Sequence, residues 1–304
     1  MFYQFDKYRN KKGYILLDDV DKTVISTTVY GSRQNKKWFL IGDENYLFKG
    51  SNGPLEEIKE IVNEFISNQL NISNAQYDLA LYKGVKGIIT KDFSNGKSFK
   101  TMLSFLCEIN HVHNDLYTYV QILRAKGVKE EDITRNLKIW LCNHVLDIFT
   151  CQRDRHFKNI ALFTDTLMPT PRYDSCGSFL TISKYDKVYN FVKSSSKTEL
   201  IEKYKGIRTK LRIFPGNVKE NSIDELLKAQ EFPNDETNIP QLIKKELLDI
   251  KNLLLNISWI DFNEIYYQLQ DSNIVLNSIY QDYFKIIIDL KMQEYFEKEY
   301  VYKR

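Results

Sequence analysis

Hydrophobic and polar residues alternate along residues 12–50 with the two-residue period of half-buried strands. The apolar runs 13–17, 23–30, 38–41 and 46–48 predict four strands, each bounded by turn residues. Gly31-Ser32-Arg33-Gln34-Asn35-Lys36-Lys37 links the second and third through small and basic residues, and Gly42-Asp43-Glu44-Asn45 reads as a hairpin turn. From Pro54 the period changes. Leu55, Ile58, Ile61, Val62, Phe65, Ile66 and Leu70 recur at helical spacing, with proline and glutamates where a first helical turn favours them. Two further strands are predicted over 77–82 and 85–90, then a loop over 91–97.

Beyond that loop the pattern is mainly helical. Residues 101–123 and 133–149 fit two amphipathic helices separated by a break at Lys126-Gly127-Val128-Lys129, and 239–300 is helical again. A small sheet with one helix, followed by a larger helical mass, predicts an α+β chain of two lobes, 1–93 and 94–304, that meet in a cleft.

Composition narrows the class. A chain of 304 residues, 43% hydrophobic and 27% charged, is long enough for one large core or two packed lobes. The net charge of +3 is too small to predict nucleic-acid affinity, and the abundant Tyr and Phe lack an interleaved basic run, so core packing accounts for them. Cys107, Cys142, Cys151 and Cys176 lack metal or redox spacing and are expected to be free thiols. No apolar run is long enough to span a bilayer and no signal core opens the chain, which predicts a cytoplasmic protein, or one exported without a cleavable signal.

The chemistry-bearing segment is Asp154-Arg155-His156-Phe157-Lys158-Asn159, directly after an apolar helix. An aspartate and an asparagine five residues apart match the catalytic loop of phosphoryl-transfer enzymes: one carboxylate for the attacking hydroxyl, one neutral oxygen for a metal ion. His156 would orient the loop and Lys158 would contact phosphate oxygens. Asp174 follows a predicted strand at 160–163 and a Pro-rich connection, so a hairpin would return a second carboxylate as a further metal ligand. Lys49 ends a strand, where an ammonium can meet phosphate, and Glu57, Glu60 and Glu64 on the next helix are its candidate partners. His111-Val112-His113-Asn114-Asp115 superficially suggests a metallohydrolase, but too few histidines accompany it, and a helix-surface or capping role is expected.

Taken together, these residues resemble the HipA-like serine/threonine kinases, toxin-antitoxin kinases whose family includes small single-domain secreted members. The matching segments, in order, are Val29-Tyr30-Gly31-Ser32-Arg33, Tyr46-Leu47-Phe48-Lys49, Asn63-Glu64-Phe65 with Leu70-Asn71-Ile72, the loop Asp154 to Asn159, and Pro171-Arg172-Tyr173-Asp174-Ser175. The resemblance spans roughly residues 14–180.

It implies a protein-kinase-like fold and transfer of the ATP γ-phosphate, with Mg2+, to a Ser/Thr hydroxyl of a protein. Asp154 would be catalytic, Asn159 and Asp174 the metal ligands, Gly31, Ser32 and Arg33 the phosphate loop. Lys49 would bind phosphate with Glu64 as its partner, and Lys91, Asp92 and Phe93 would form the adenine hinge. The resemblance further implies a small regulatory or antitoxin partner protein and autophosphorylation near the phosphate loop, where Thr28 and Ser32 carry hydroxyls. A lipid or small-molecule kinase, and a catalytically dead kinase-shaped docking module, are the alternatives.

Overall fold

The computed structural model describes residues 2–26, 36–52, 55–108, 115–152, 155–179 and 238–256, with 194–196, 198, 199, 267, 284, 285 and 287. The chain divides into two compact units: Met1–Asn95, Pro171–Ser196 and Asp261–Lys285 in the first, and Gly96–Thr170, Lys197–Ile260 and Ile286–Arg304 in the second. The first unit thus takes in Pro171–Ser196 as well as the N-terminal sheet.

The first unit is built on β1 (Ile15–Leu16), β2 (Thr23–Ser26), β3 (Lys36–Ile41), β4 (Glu44–Gly50), β5 (Tyr77–Tyr82) and β6 (Val85–Lys91), with helix α1 (Glu56–Gln69). The strands form one mixed sheet in the order β1-β5-β6-β4-β3-β2, in which only the β1–β5 pair is parallel. The expected turn between β3 and β4 forms with Ile41 opposite Glu44, and Gly42 takes the positive φ of 60° that such a tight reversal favours.

The two-residue period decides what each face carries. Tyr46 and Phe48 of β4, Phe39 of β3, Tyr82 of β5 and Ile89 of β6 lie on one face with Phe2, Phe5 and Ile15, forming an aromatic core of edge-to-face rings. Asp78 is buried on this face, where it accepts two bonds from the Arg9 guanidinium at 2.7 and 2.6 Å. The alternate residues face the other way. Lys49 lies opposite Ile88 and Ile88 opposite Leu79, so these three share the second face with Tyr77 and Thr90. Gly87 permits the β4–β6 pairing, since a Cβ there would stand 2.2 Å from the Lys49 carbonyl oxygen.

The second unit contains β7 (Phe99–Thr101), paired antiparallel with β8 (Ala161–Phe163), and helices α2 (Met102–Glu108), α3 (Leu116–Ala125), α4 (Glu130–Phe149) and α5 (Ile239–Asn256). The single helix expected over 101–123 is corrected. Asp115 is extended, with φ −137°, and its carboxylate accepts the Thr118 amide at 2.7 Å, so α3 begins afresh from an aspartate cap. That is the capping role foreseen for the end of the His111–Asp115 run; His111 and His113 lie outside the described residues. In α5, Ile239, Ile243, Leu247 and Ile250 are buried at helical spacing. The four cysteines are free thiols, and among the described residues no helix is long and apolar enough to cross a membrane.

Candidate active site

Lys49 stands on the non-aromatic face of β4, 7% exposed, and its ammonium bonds two carboxylates: Glu60 Oε1 at 2.8 Å and Asp174 Oδ1 at 2.6 Å. Burial by itself pulls the Lys49 pKa down. The charges of Glu60 and Asp174 more than reverse this and hold it well above its ordinary value, so the group is a fixed cation. Burial likewise pushes the Asp174 pKa up, and Lys49, with Lys36 on the neighbouring strand, outweighs it and holds Asp174 below the usual carboxylate range.

The expected Lys49–Glu64 pair is corrected to Lys49–Glu60. Glu64 lies one helical turn further along α1, about 6 Å up the axis, and its Oε2 instead accepts the Tyr77 backbone amide at 2.7 Å. Helical periodicity places Glu57, Glu60 and Glu64 on neighbouring positions of one stripe and cannot say which carboxylate meets the strand. Glu57 is also engaged elsewhere, accepting from Tyr14 and Ser51 hydroxyls at 3.2 and 2.7 Å.

Asp174 has a positive φ of 57°, a conformation costly for most side chains and held here by its surroundings. Its amide donates to the Tyr77 phenol oxygen at 3.3 Å, and the next amide, of Ser175, donates to Glu60 Oε2 at 2.7 Å. Glu60 therefore binds Lys49 through one oxygen and the Asp174 segment through the other. The Cys176 thiol, pushed up to about 12 chiefly by burial, lies 3.3 Å from Asp174 Oδ1 as a neutral donor.

Glu60, Asp174 and Cys176 bring one donor atom each within 4.8 Å of one another. Mg2+ takes hard oxygen ligands, so Asp174 fits that ion and the thiol does not. Lys59, also buried on α1, is a second ammonium near this face that periodicity did not single out; burial brings it down to about 8. Tyr77, Asn63 and Arg172 were not singled out either. Tyr77 and Asn63 meet the segment that carries Arg172 and Asp174 from about a hundred residues away in the chain.

Of the expected hinge, Lys91 closes β6 and is bonded to Glu44, the Asp92 amide donates to the Asn45 carbonyl at 2.8 Å, and Asp92 Oδ1 accepts the Ser94 amide at 2.8 Å. The Phe93 ring stacks on Tyr173, centroids 5.8 Å apart at 24°.

In the second unit, Arg155 organises the segment that carries Asn159. Its guanidinium grips Asp147 of α4 through Nε at 2.9 Å and Nη2 at 3.3 Å, and its Nη1 donates to the Asn159 carbonyl at 3.0 Å. The Asn159 amide closes a turn onto the His156 carbonyl at 2.8 Å, and Phe157 packs edge-on against Trp140. His156 is half-buried and Lys158 exposed. The catalytic candidate Asp154 and the loop and phosphorylation candidates Thr28, Gly31, Ser32 and Arg33 lie outside the described residues.

The fold is of the kinase class, an α+β chain whose N-terminal sheet and helix α1 precede helices α2 to α5 among the described residues. Among solved proteins, it resembles CtkA, a proinflammatory kinase of Helicobacter pylori: the TM-score is 0.64 at 19% identity, over 91% of this chain and 94% of that one. HipA of Shewanella oneidensis, in its complex with HipB and operator DNA, aligns with a TM-score of 0.38 and 16% identity over 90% of this chain and 66% of that one. No family model and no curated protein matches the sequence.

Proposed function

We propose that this chain is an ATP-dependent protein kinase that transfers the γ-phosphate of Mg-ATP to a serine or threonine hydroxyl. The observation that carries the reading is the Lys49–Glu60–Asp174 constellation: a buried ammonium, fixed as a cation, between a buried helix carboxylate and a half-buried loop aspartate at positive φ. A strand lysine paired with a helix glutamate is the arrangement that holds ATP phosphates in protein kinases, and a loop aspartate beside it is where their metal ligand lies.

In this reading Lys49 binds phosphate oxygens, Glu60 orients the ammonium, and Asp154 accepts the proton of the attacking hydroxyl. Asp174 and Asn159 would hold Mg2+, which when bound spreads the negative charge of the transferring phosphate. Lys91, Asp92 and Phe93 would border the adenine, and Gly31, Ser32 and Arg33 would close over the phosphates, with Lys158 as a further phosphate contact and Thr28 or Ser32 as a self-acceptor. A small regulatory protein is the partner the resemblance suggests. The likeness of fold to CtkA supports the reading.

The test is incubation with magnesium and γ-labelled ATP. Wild-type protein is expected to label itself or a protein acceptor, and Asp154→Ala or Asp174→Ala to label neither. Absence of both nucleotide binding and transfer in the wild type, across a range of magnesium and manganese concentrations, would sink the kinase reading and leave a docking module.

A further inference from the structure

The geometry points to Arg172 as a positioning residue: its guanidinium latches the Asp174 segment to helix α1, so the segment and the helix shift together rather than independently. The catalytic consequence rests on the kinase reading; the latch itself does not.

Arg172 is 4% exposed, and one nitrogen, Nη1, serves two acceptors, Asn63 Oδ1 at 3.2 Å and Ser175 Oγ at 2.6 Å. Asn63 is fully buried on α1, three residues beyond Glu60, and is oriented by its own Nδ2 bond to the Lys59 carbonyl at 2.8 Å. The Ser178 hydroxyl reaches the same Asn63 oxygen at 3.4 Å.

The Arg172 backbone is fixed independently of its side chain. Its amide donates to the Ser73 carbonyl at 2.9 Å and its carbonyl accepts the Ala75 amide at 2.8 Å, making a parallel bridge to the chain that leads into β5. The segment is thus held on both sides of Asp174: at Arg172 by this bridge, and beyond it by Ser175 and Ser178, which reach Glu60 and Asn63 of α1.

The side-chain bonds matter because Asp174 holds a positive φ of 57°. A strained residue keeps its conformation only where its neighbours over-determine it. Removing the guanidinium takes one partner from the Ser175 hydroxyl, weakens the neighbouring Ser175 amide–Glu60 bond, and lets Asp174 relax away from Lys49. Lysine keeps the charge, but its ammonium ends one bond short of Nη1 and so falls short of the two acceptors.

The experiment compares wild type with Arg172→Lys and with Ser175→Ala, a milder change that removes only the hydroxyl acceptor. Hydrogen exchange on the metal-free protein reads the latch directly, whether or not the protein is an active kinase. The Ser175 amide is expected to exchange about tenfold faster or more in both variants, the consequence of losing one charge-assisted bond, while amides of the β5–β6 pair stay unchanged. Unaltered exchange at Ser175 overturns the latch.

Labelled transfer, followed against magnesium concentration, then reads positioning. Half-maximal rate is expected to require about tenfold more Mg2+ in the variants, with the KM for ATP little changed. Faster exchange with an unshifted magnesium requirement shows that the latch serves folding alone and overturns the positioning role. A wild type that exchanges as expected but transfers nothing removes the kinase reading and with it the positioning role, while the exchange data still decide the latch.

Discussion

Lys49 Nζ lies 2.8 Å from Glu60 Oε1, and it is this carboxylate of helix α1, rather than Glu64, that pairs with the strand ammonium. Glu60→Gln is expected to lower kcat/KM for phosphoryl transfer by about 100-fold, since it removes the charge that orients Lys49. Glu64→Gln, whose amide oxygen can still accept the Tyr77 N–H, is expected to change it less than about threefold. Equal losses in the two variants would contradict the assignment.

Glu64 also predicts a pH dependence of stability. Burial raises its carboxyl, the Tyr77 amide partly opposes this, and Asp78 adds to it, pushing the group up to about 7 from 4.5. The folded state therefore binds more protons than the unfolded chain between these values, and the stability contributed at low pH is lost as pH rises from 4.5 through 7. Urea unfolding should show Glu64→Gln to be more stable than wild type at pH 8, by on the order of 1–3 kcal/mol, and the difference should shrink toward pH 5. A constant difference across that range would rule this out.

Asp147→Ala would leave the Arg155 guanidinium, 2% exposed, without the carboxylate that grips it. The expected loss is about 1–3 kcal/mol, because a buried charge loses its hydrogen bonds to a carboxylate. Replacing both, as Asp147→Leu with Arg155→Met, should recover part of that loss in denaturant titrations while transfer stays impaired, since the Asn159 carbonyl has lost its donor.

Gly87→Ala places a methyl against the Lys49 carbonyl at the centre of the sheet. Backbone there cannot yield cheaply, so a loss of about 1–3 kcal/mol is expected, with weaker nucleotide binding because β4 carries Lys49. Gly84→Ala is a control: that position has open space and a positive φ of 76°, so it should cost only the backbone strain.

Much of the first unit was legible in the sequence because its signals are local. Alternation located β3 to β6, and helical spacing located α1 within one or two residues. The same spacing ran two helices together over 101–123, because the Asp115 cap is a backbone event inside an otherwise apolar pattern. Lys49 and Asp174 were named from their motifs. Their 2.6 Å contact joins residues 125 apart in the chain, and no periodicity carries that information.

Local patterning was enough to set the class of elements, their order and the identities of the polar groups, since period and turn chemistry act over a few residues. Three-dimensional packing settled which glutamate meets Lys49, that the segment after Pro171 lies in the first unit, and that Tyr77 and Asn63 bond Asp174 and Arg172 of that segment. Neighbouring turns of one helix offer chemically identical carboxylates. Only the register between helix and sheet, set by how buried side chains pack, separates a carboxylate that meets an ammonium from one that meets a backbone amide.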